Sequence, residues 1–118
     1  MSLESDLQQA LASVVARVFP TVAPYETAMP YAVWQRMGGD PVQFFDGRLA
    51  DRRHAEVQVE VWAATTKEAS EVLAEMVSAL LAAPALTVTV RSEPLDSFDD
   101  ADERRGVLQS LSIWGDRS

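Results

Sequence analysis

The chain has 118 residues, 47% of them hydrophobic and 24% charged, with a net charge of -8 and no cysteine. That length supports one domain, 1–118, with a real core; the missing thiols exclude disulfides, thiolate nucleophiles and sulfur-ligated zinc or iron. The negative charge disfavours tight nucleic-acid binding, which needs Lys and Arg against phosphates. No apolar run approaches the roughly 18 residues of a membrane span. Glu4 and Asp6 stand where a secretory signal would be basic, so neither a membrane nor export by that route is expected.

Leu3, Leu7, Leu11, Val14, Val15 and Val18 recur at spacings of three and four, which predicts a helix over 3–18 with Ser2 as its cap. Pro20 and Pro24 end it and make "FPTVAPYETAMP" an extended connection. "YAVWQRM", 31–37, alternates branched and aromatic residues and predicts a strand, closed by the turn chemistry of "GGDP".

Residues 38–54 then form a long loop holding Phe44, Phe45, Arg48, Arg52 and Arg53; loops of this length are usually functional or mobile. A half-buried strand over 55–63 follows, with Val57, Val59, Val61 and Ala63 facing one way; it is expected to pair antiparallel with the first strand. Thr65 and Glu68 make a capping-box pattern. The helix they open carries Ala69, Val72, Leu73, Met76, Val77, Leu80 and Leu81 on one face and ends before Pro84.

"LTVTVR", 86–91, predicts a third strand, 92–105 an acidic loop, and "VLQSLSIW", 107–114, a fourth strand. The order α-β-β-α-β-β, with connections too short for repeated parallel crossovers, predicts an α+β fold. Its sheet is expected to be four-stranded, mainly antiparallel and packed on two amphipathic helices.

Little here can carry chemistry. The one histidine, His54, has neither a second ligand nor a nucleophile motif beside it, and reads as an exposed residue at a loop end. Glu93, Asp96, Asp99, Asp100, Asp102 and Glu103 crowd one segment without the spacing of a calcium loop, and read as solvated surface. No glycine motif cradles a nucleotide, and Trp34, Trp62 and Trp114 read as core or interface. No catalytic residue, cofactor site or metal site is assigned. Two long, oppositely charged loops and strand faces bearing Trp beside charge suit protein contacts instead.

"MPYAVWQRMGGDP", with Pro30, Tyr31, Val33, Gln35 and Arg36, followed by Val57–Ala63 and the Thr65-Thr66-Glu68-Ala69 helix start, resembles the tail-completion proteins of long-tailed bacteriophages and prophages. The resemblance implies a structural protein, not an enzyme, without cofactor. It would form a ring, typically hexameric, at the head-proximal end of the tail tube, ending tube polymerisation and serving head-tail joining. Its implied partners are its own copies, the tail tube protein and the head-tail connector protein. The net charge of -8 adds a separate expectation, that DNA would pass the channel without specific binding.

In such a ring Arg48, Arg52 and Arg53 would face the acidic Asp99, Asp100 and Asp102 of the next subunit, and Glu56, Glu60 and Trp62 would add contact surface. The alternative is a small α+β ligand-binding or regulatory module that dimerises through its sheet.

Overall fold

The computed structural model describes residues 2–99 and 104–117. The first helix, α1 (Leu3–Ala12), opens on a reciprocal cap: the Ser5 amide donates to Ser2 Oγ at 3.2 Å and the Ser2 amide donates to Ser5 Oγ at 3.0 Å. It ends well before residue 18, with the Ser13 hydroxyl donating to the Ala10 carbonyl at 2.6 Å. The chain then turns into a short strand, β1 (Val18–Pro20), so Val18 reaches the core from a strand rather than from the helix stripe. Apolar spacing alone does not separate these cases, because both place Val18 inward.

Strand β2 (Tyr31–Arg36) follows, parallel to β1 and antiparallel to β3 (Arg52–Ala63). The expected antiparallel pairing is found, but β3 starts earlier than expected and takes Arg52 and Arg53 out of the loop. Helix α2 (Thr66–Ala82) begins where Thr65 Oγ1 accepts from the Glu68 amide at 3.1 Å, and ends before Pro84. It buries Ala69, Leu73, Met76 and Leu80, while Leu81 stays 55% exposed. Strands β4 (Thr87–Val90), β5 (Leu95–Asp99) and β6 (Arg104–Asp116) complete the chain.

The class is α+β, but the sheet is six-stranded and mixed, in the order β1-β2-β3-β6-β4 with β5 also on β6. The two additional strands are those that local pattern hides. β1 has three residues and ends in proline, whereas β5 carries two aspartates and forms by pairing with β6; long-range pairing overrides weak propensity.

β3 and β6 pair over twelve residues, Arg52 opposite Asp116 through Ala63 opposite Arg105. On one face Val57, Val59, Val61, Val107 and Ile113 meet Leu7, Leu11, Leu73 and Leu80 of the two helices, all essentially without solvent contact. Each such burial is worth about 1.5–3 kcal/mol. Gln109, on the inward register of β6, is buried and donates to the Ser92 carbonyl at 2.8 Å.

The principal extents are 52 × 25 × 25 Å. The length comes from the β3–β6 pairing and from residues 42–50, which extend beyond Arg52 as a small hairpin. There Phe44 N donates to Arg48 O at 2.8 Å, Ala50 N donates to Val42 O at 3.0 Å, and Gly47 takes the turn at φ +93°. Part of the expected structureless loop is therefore an arm.

Leu73→Ala is expected to lower unfolding free energy by about 2–5 kcal/mol, whereas Leu81→Ala should change it by no more than about 0.5 kcal/mol. Urea denaturation followed by circular dichroism checks both.

Candidate functional site

The strand alternation that fills the core on one side puts polar and aromatic residues on the other, which neither helix covers. Tyr31, Glu60 and Trp62 lie at one end of this open face; His54, Ser112 and Trp114 lie toward the other. Glu60 is held twice, accepting from Trp62 Nε1 at 3.1 Å and from Ser97 Oγ at 3.0 Å. Glu56 accepts from Arg91 at 3.2 Å. The Trp62 ring lies against Gly106, where an added Cβ would fall 2.9 Å from ring carbons, and Arg104 stacks on it at 5.0 Å while donating to the Tyr31 hydroxyl. These contacts fix the face rigidly, as a recognition surface requires.

His54 is not the exposed loop-end residue its neighbours predict. Its side chain is only 3% exposed, packed on Trp114 with ring centroids 5.0 Å apart. Nε2 lies 2.7 Å from Ser112 Oγ, and Nδ1 accepts from the Asp40 amide at 2.9 Å. This juxtaposition of Asp, His and Ser looks like a nucleophilic triad, but the proton is on the wrong nitrogen. A backbone amide can only donate, so Nδ1 carries the lone pair and Nε2 the hydrogen. Nε2–H then donates to Ser112 and cannot take its proton, which a general base must do. Ser112 is itself buried. The cluster ties the start of the arm to β3 and β6.

The charged residues expected at subunit contacts are dispersed. Arg53 is bound to Glu4 of α1, Arg52 to Asp116 at 3.2 Å, and Arg48 to Asp46 at 2.7 Å with its own side chain 77% exposed. Asp99 ends β5, while Asp100 and Asp102 lie outside the described residues. Glu56, Glu60 and Trp62 share the open face as their alternation predicts. Among the described residues no three His, Cys, Asp or Glu side chains gather as metal ligands, and no helix is long and apolar enough to cross a membrane.

Two features escaped the sequence pattern. Residues 21–29 fold over the Tyr31–Trp62 end of the open face and enclose a groove of about 590 Å³, with Val22, Pro24, Tyr25 and Met29 on its wall and Glu60 and Trp62 on its floor. Thr21 and Glu26 sit at φ 67° and 61°, a left-handed conformation costly for a β-branched residue and kept only where the surroundings impose it. Arg17 Nε fastens the segment by donating to Ala28 O at 2.8 Å. At the opposite end of the molecule Phe44, Phe45 and Leu49 stand exposed on the arm. In the sequence only the density of proline and aromatic residues in these aperiodic segments signals either feature.

A sheet closed on one face, furnished with fixed polar and aromatic groups on the other, and carrying apolar side chains in water at both ends defines a protein built for contact with other proteins. The family model described as "Tail completion protein gp17" matches residues 4–114, and the chain belongs to that tail-completion family of phage structural proteins. The resemblance carried by Pro30–Arg36 and Val57–Ala63 thus extends over nearly the whole chain. No curated protein matches the sequence. The fold is similar to that of a chain in the virion of a native gene transfer agent particle, at TM-score 0.63 and 15% identity, over 98% of this chain and 95% of that one.

His54→Ala is expected to destabilise the fold by about 1–3 kcal/mol, because it strands the buried Ser112 hydroxyl and opens a gap against Trp114. Hydrogen exchange at the Asp40 amide should accelerate in the same variant, which NMR checks.

Proposed function

We propose that this protein forms a ring, hexameric by the family resemblance, at the head-proximal end of a phage or prophage tail tube. There it ends tube polymerisation and serves head-tail joining. The observation that carries the reading is the tail-completion family match over 4–114; the similarity to a gene transfer agent virion chain supports a place in the particle. The partners are further copies of the chain, the tail tube protein and the head-tail connector protein, assembling in the host cytoplasm before entering the virion.

With a net charge of -8, a channel through the ring lets DNA pass without the basic phosphate contacts that drive binding. Glu56, Glu60 and Trp62 on the open face are proposed contact residues, as are Arg48, Arg52 and Arg53 facing Asp99, Asp100 and Asp102 of the next subunit. The ion pairs within the subunit decide which of these arginines tests that idea cleanly. Reversing Arg53 would set a carboxylate against Glu4, and reversing Arg52 would do the same against Asp116, so either change acts on the fold as well. Reversing Arg48 breaks its pair with Asp46, two residues away and exposed on the arm, so the core and the helices are left untouched.

Tails assembled without the protein should show uncontrolled tube length and no attached heads by electron microscopy, and supplying the full chain should restore both. Arg48→Glu should lower the fraction of head-attached tails while leaving the melting temperature unchanged. Normal tubes and heads without the protein would overturn the reading, as would a stable sheet-to-sheet dimer that never joins a tail.

A further inference from the structure

The apolar arm tip and the groove walled by Val22, Tyr25 and Met29 occupy opposite ends of one elongated subunit. The groove is built on the Tyr31–Trp62 pair, and the arm leaves beyond Arg52. Ten residue steps of β3 separate those points, about 33 Å of extended strand. A hairpin over 42–50 reaches at most about 15 Å, so the arm cannot enter the groove of its own chain.

Each feature is unfinished by itself. Phe44 is half exposed and Phe45 fully exposed, and they touch no core. Val22 and Tyr25 on the groove wall are 73% and 90% exposed. The groove's volume of about 590 Å³ lies within the roughly 300–1,000 Å³ of pockets that enclose ligands larger than two phenyl rings.

We propose that the arm of one copy seats Phe44 and Phe45 in the groove of the next, between Val22, Tyr25 and Met29 and above Trp62. The contact joins two different patches, so repetition closes a ring or extends a filament instead of stopping at a dimer. Ring chemistry agrees with a second copy as the occupant: Trp62 on the groove floor and the Arg104 guanidinium stacked 5.0 Å from it offer an aromatic and a cationic face to Phe44 and Phe45. A lipid surface is a poor alternative, because Asp40, Asp46 and Asp51 outnumber Arg48 on the segment and anionic headgroups would repel it. The inference rests on the ring reading above and deepens it by naming the two surfaces that meet.

The chain has no cysteine, so introduced thiols report without background. Full-length Phe45→Cys and Val22→Cys proteins, one carrying a mass tag, are oxidised mildly alone and mixed, up to about 1 mM, where even a weak contact is populated. The mixture is expected to gain a disulfide-linked heterodimer absent from either variant alone. No heterodimer at the highest concentration, or homodimers in its place, would overturn the proposal, and so would sedimentation of the unmodified protein with phosphatidylcholine–phosphatidylglycerol vesicles.

Complementation with Phe44→Ser/Phe45→Ser separates this inference from the wider one. Restored tube length and head attachment by that variant, without a cross-link, leaves the tail reading standing and removes this contact. A cross-link with no rescue by the unmodified chain leaves the contact and removes the tail role.

Discussion

Everything in this molecule hangs on the pairing of β3 with β6. Twelve residue pairs in one register place Ala55, Val57, Val59, Val61 and Ala63 opposite Ile113, Leu111, Gln109, Val107 and Arg105, and a one-residue slip would turn every one of those side chains to the other face. That register is what allows two short helices to close a core with Leu3, Leu7, Leu11, Leu73, Met76 and Leu80. The same register sets the opposite face, because whatever is not turned inward is displayed together.

The displayed face is neither a second core nor ordinary solvated surface. Glu60 is shared by Trp62 and Ser97, Glu56 by Arg91, and Tyr31 by Arg104; side chains held this way lose little further freedom when a partner arrives, which lowers the cost of association. The loop over 21–29 adds a walled groove at one end, with positive φ at Thr21 and Glu26 imposed by its surroundings. The arm adds an apolar tip at the other. A subunit with unlike ends is suited to head-to-tail repetition, the geometry from which rings are made.

His54 shows how much rests on the placing of one proton. Its 2.7 Å approach to Ser112 matches that of a catalytic pair, yet the Asp40 amide occupies Nδ1, with the Asp40 carboxylate 3.9 Å away, and leaves Nε2 as a donor. The histidine therefore fastens the base of the arm to the sheet, and the arm's direction is set by that hydrogen bond together with the Glu56 amide donating to Gly38 O at 2.8 Å. Gly39 is part of the same joint, since a Cβ there would fall 2.3 Å from the His54 carbonyl.

The amino-acid pattern by itself determined the α+β class, α2 with its Thr65 cap, the inward face of β3, the antiparallel partnership of β2 and β3, and the family. The helix and the strand faces are legible because they depend on neighbours in sequence, a 3.6-residue or two-residue period and a cap three residues from its partner; the pairing follows from two successive strand patterns, and the family from the order of its motifs. Only the tertiary structure decided that α1 stops at Ala12, that Val18–Pro20 and Leu95–Asp99 become edge strands, and that Arg52, Arg53 and His54 belong to β3. The groove and the arm tip were likewise beyond reach of the pattern. Each of these is set by a partner far along the chain: Ala32 for Val18, Leu108 for Leu95, Glu4 for Arg53 and Ser112 for His54. Local propensity for such segments is weak, and the free energy of long-range pairing chooses among conformations that the sequence alone leaves nearly equal.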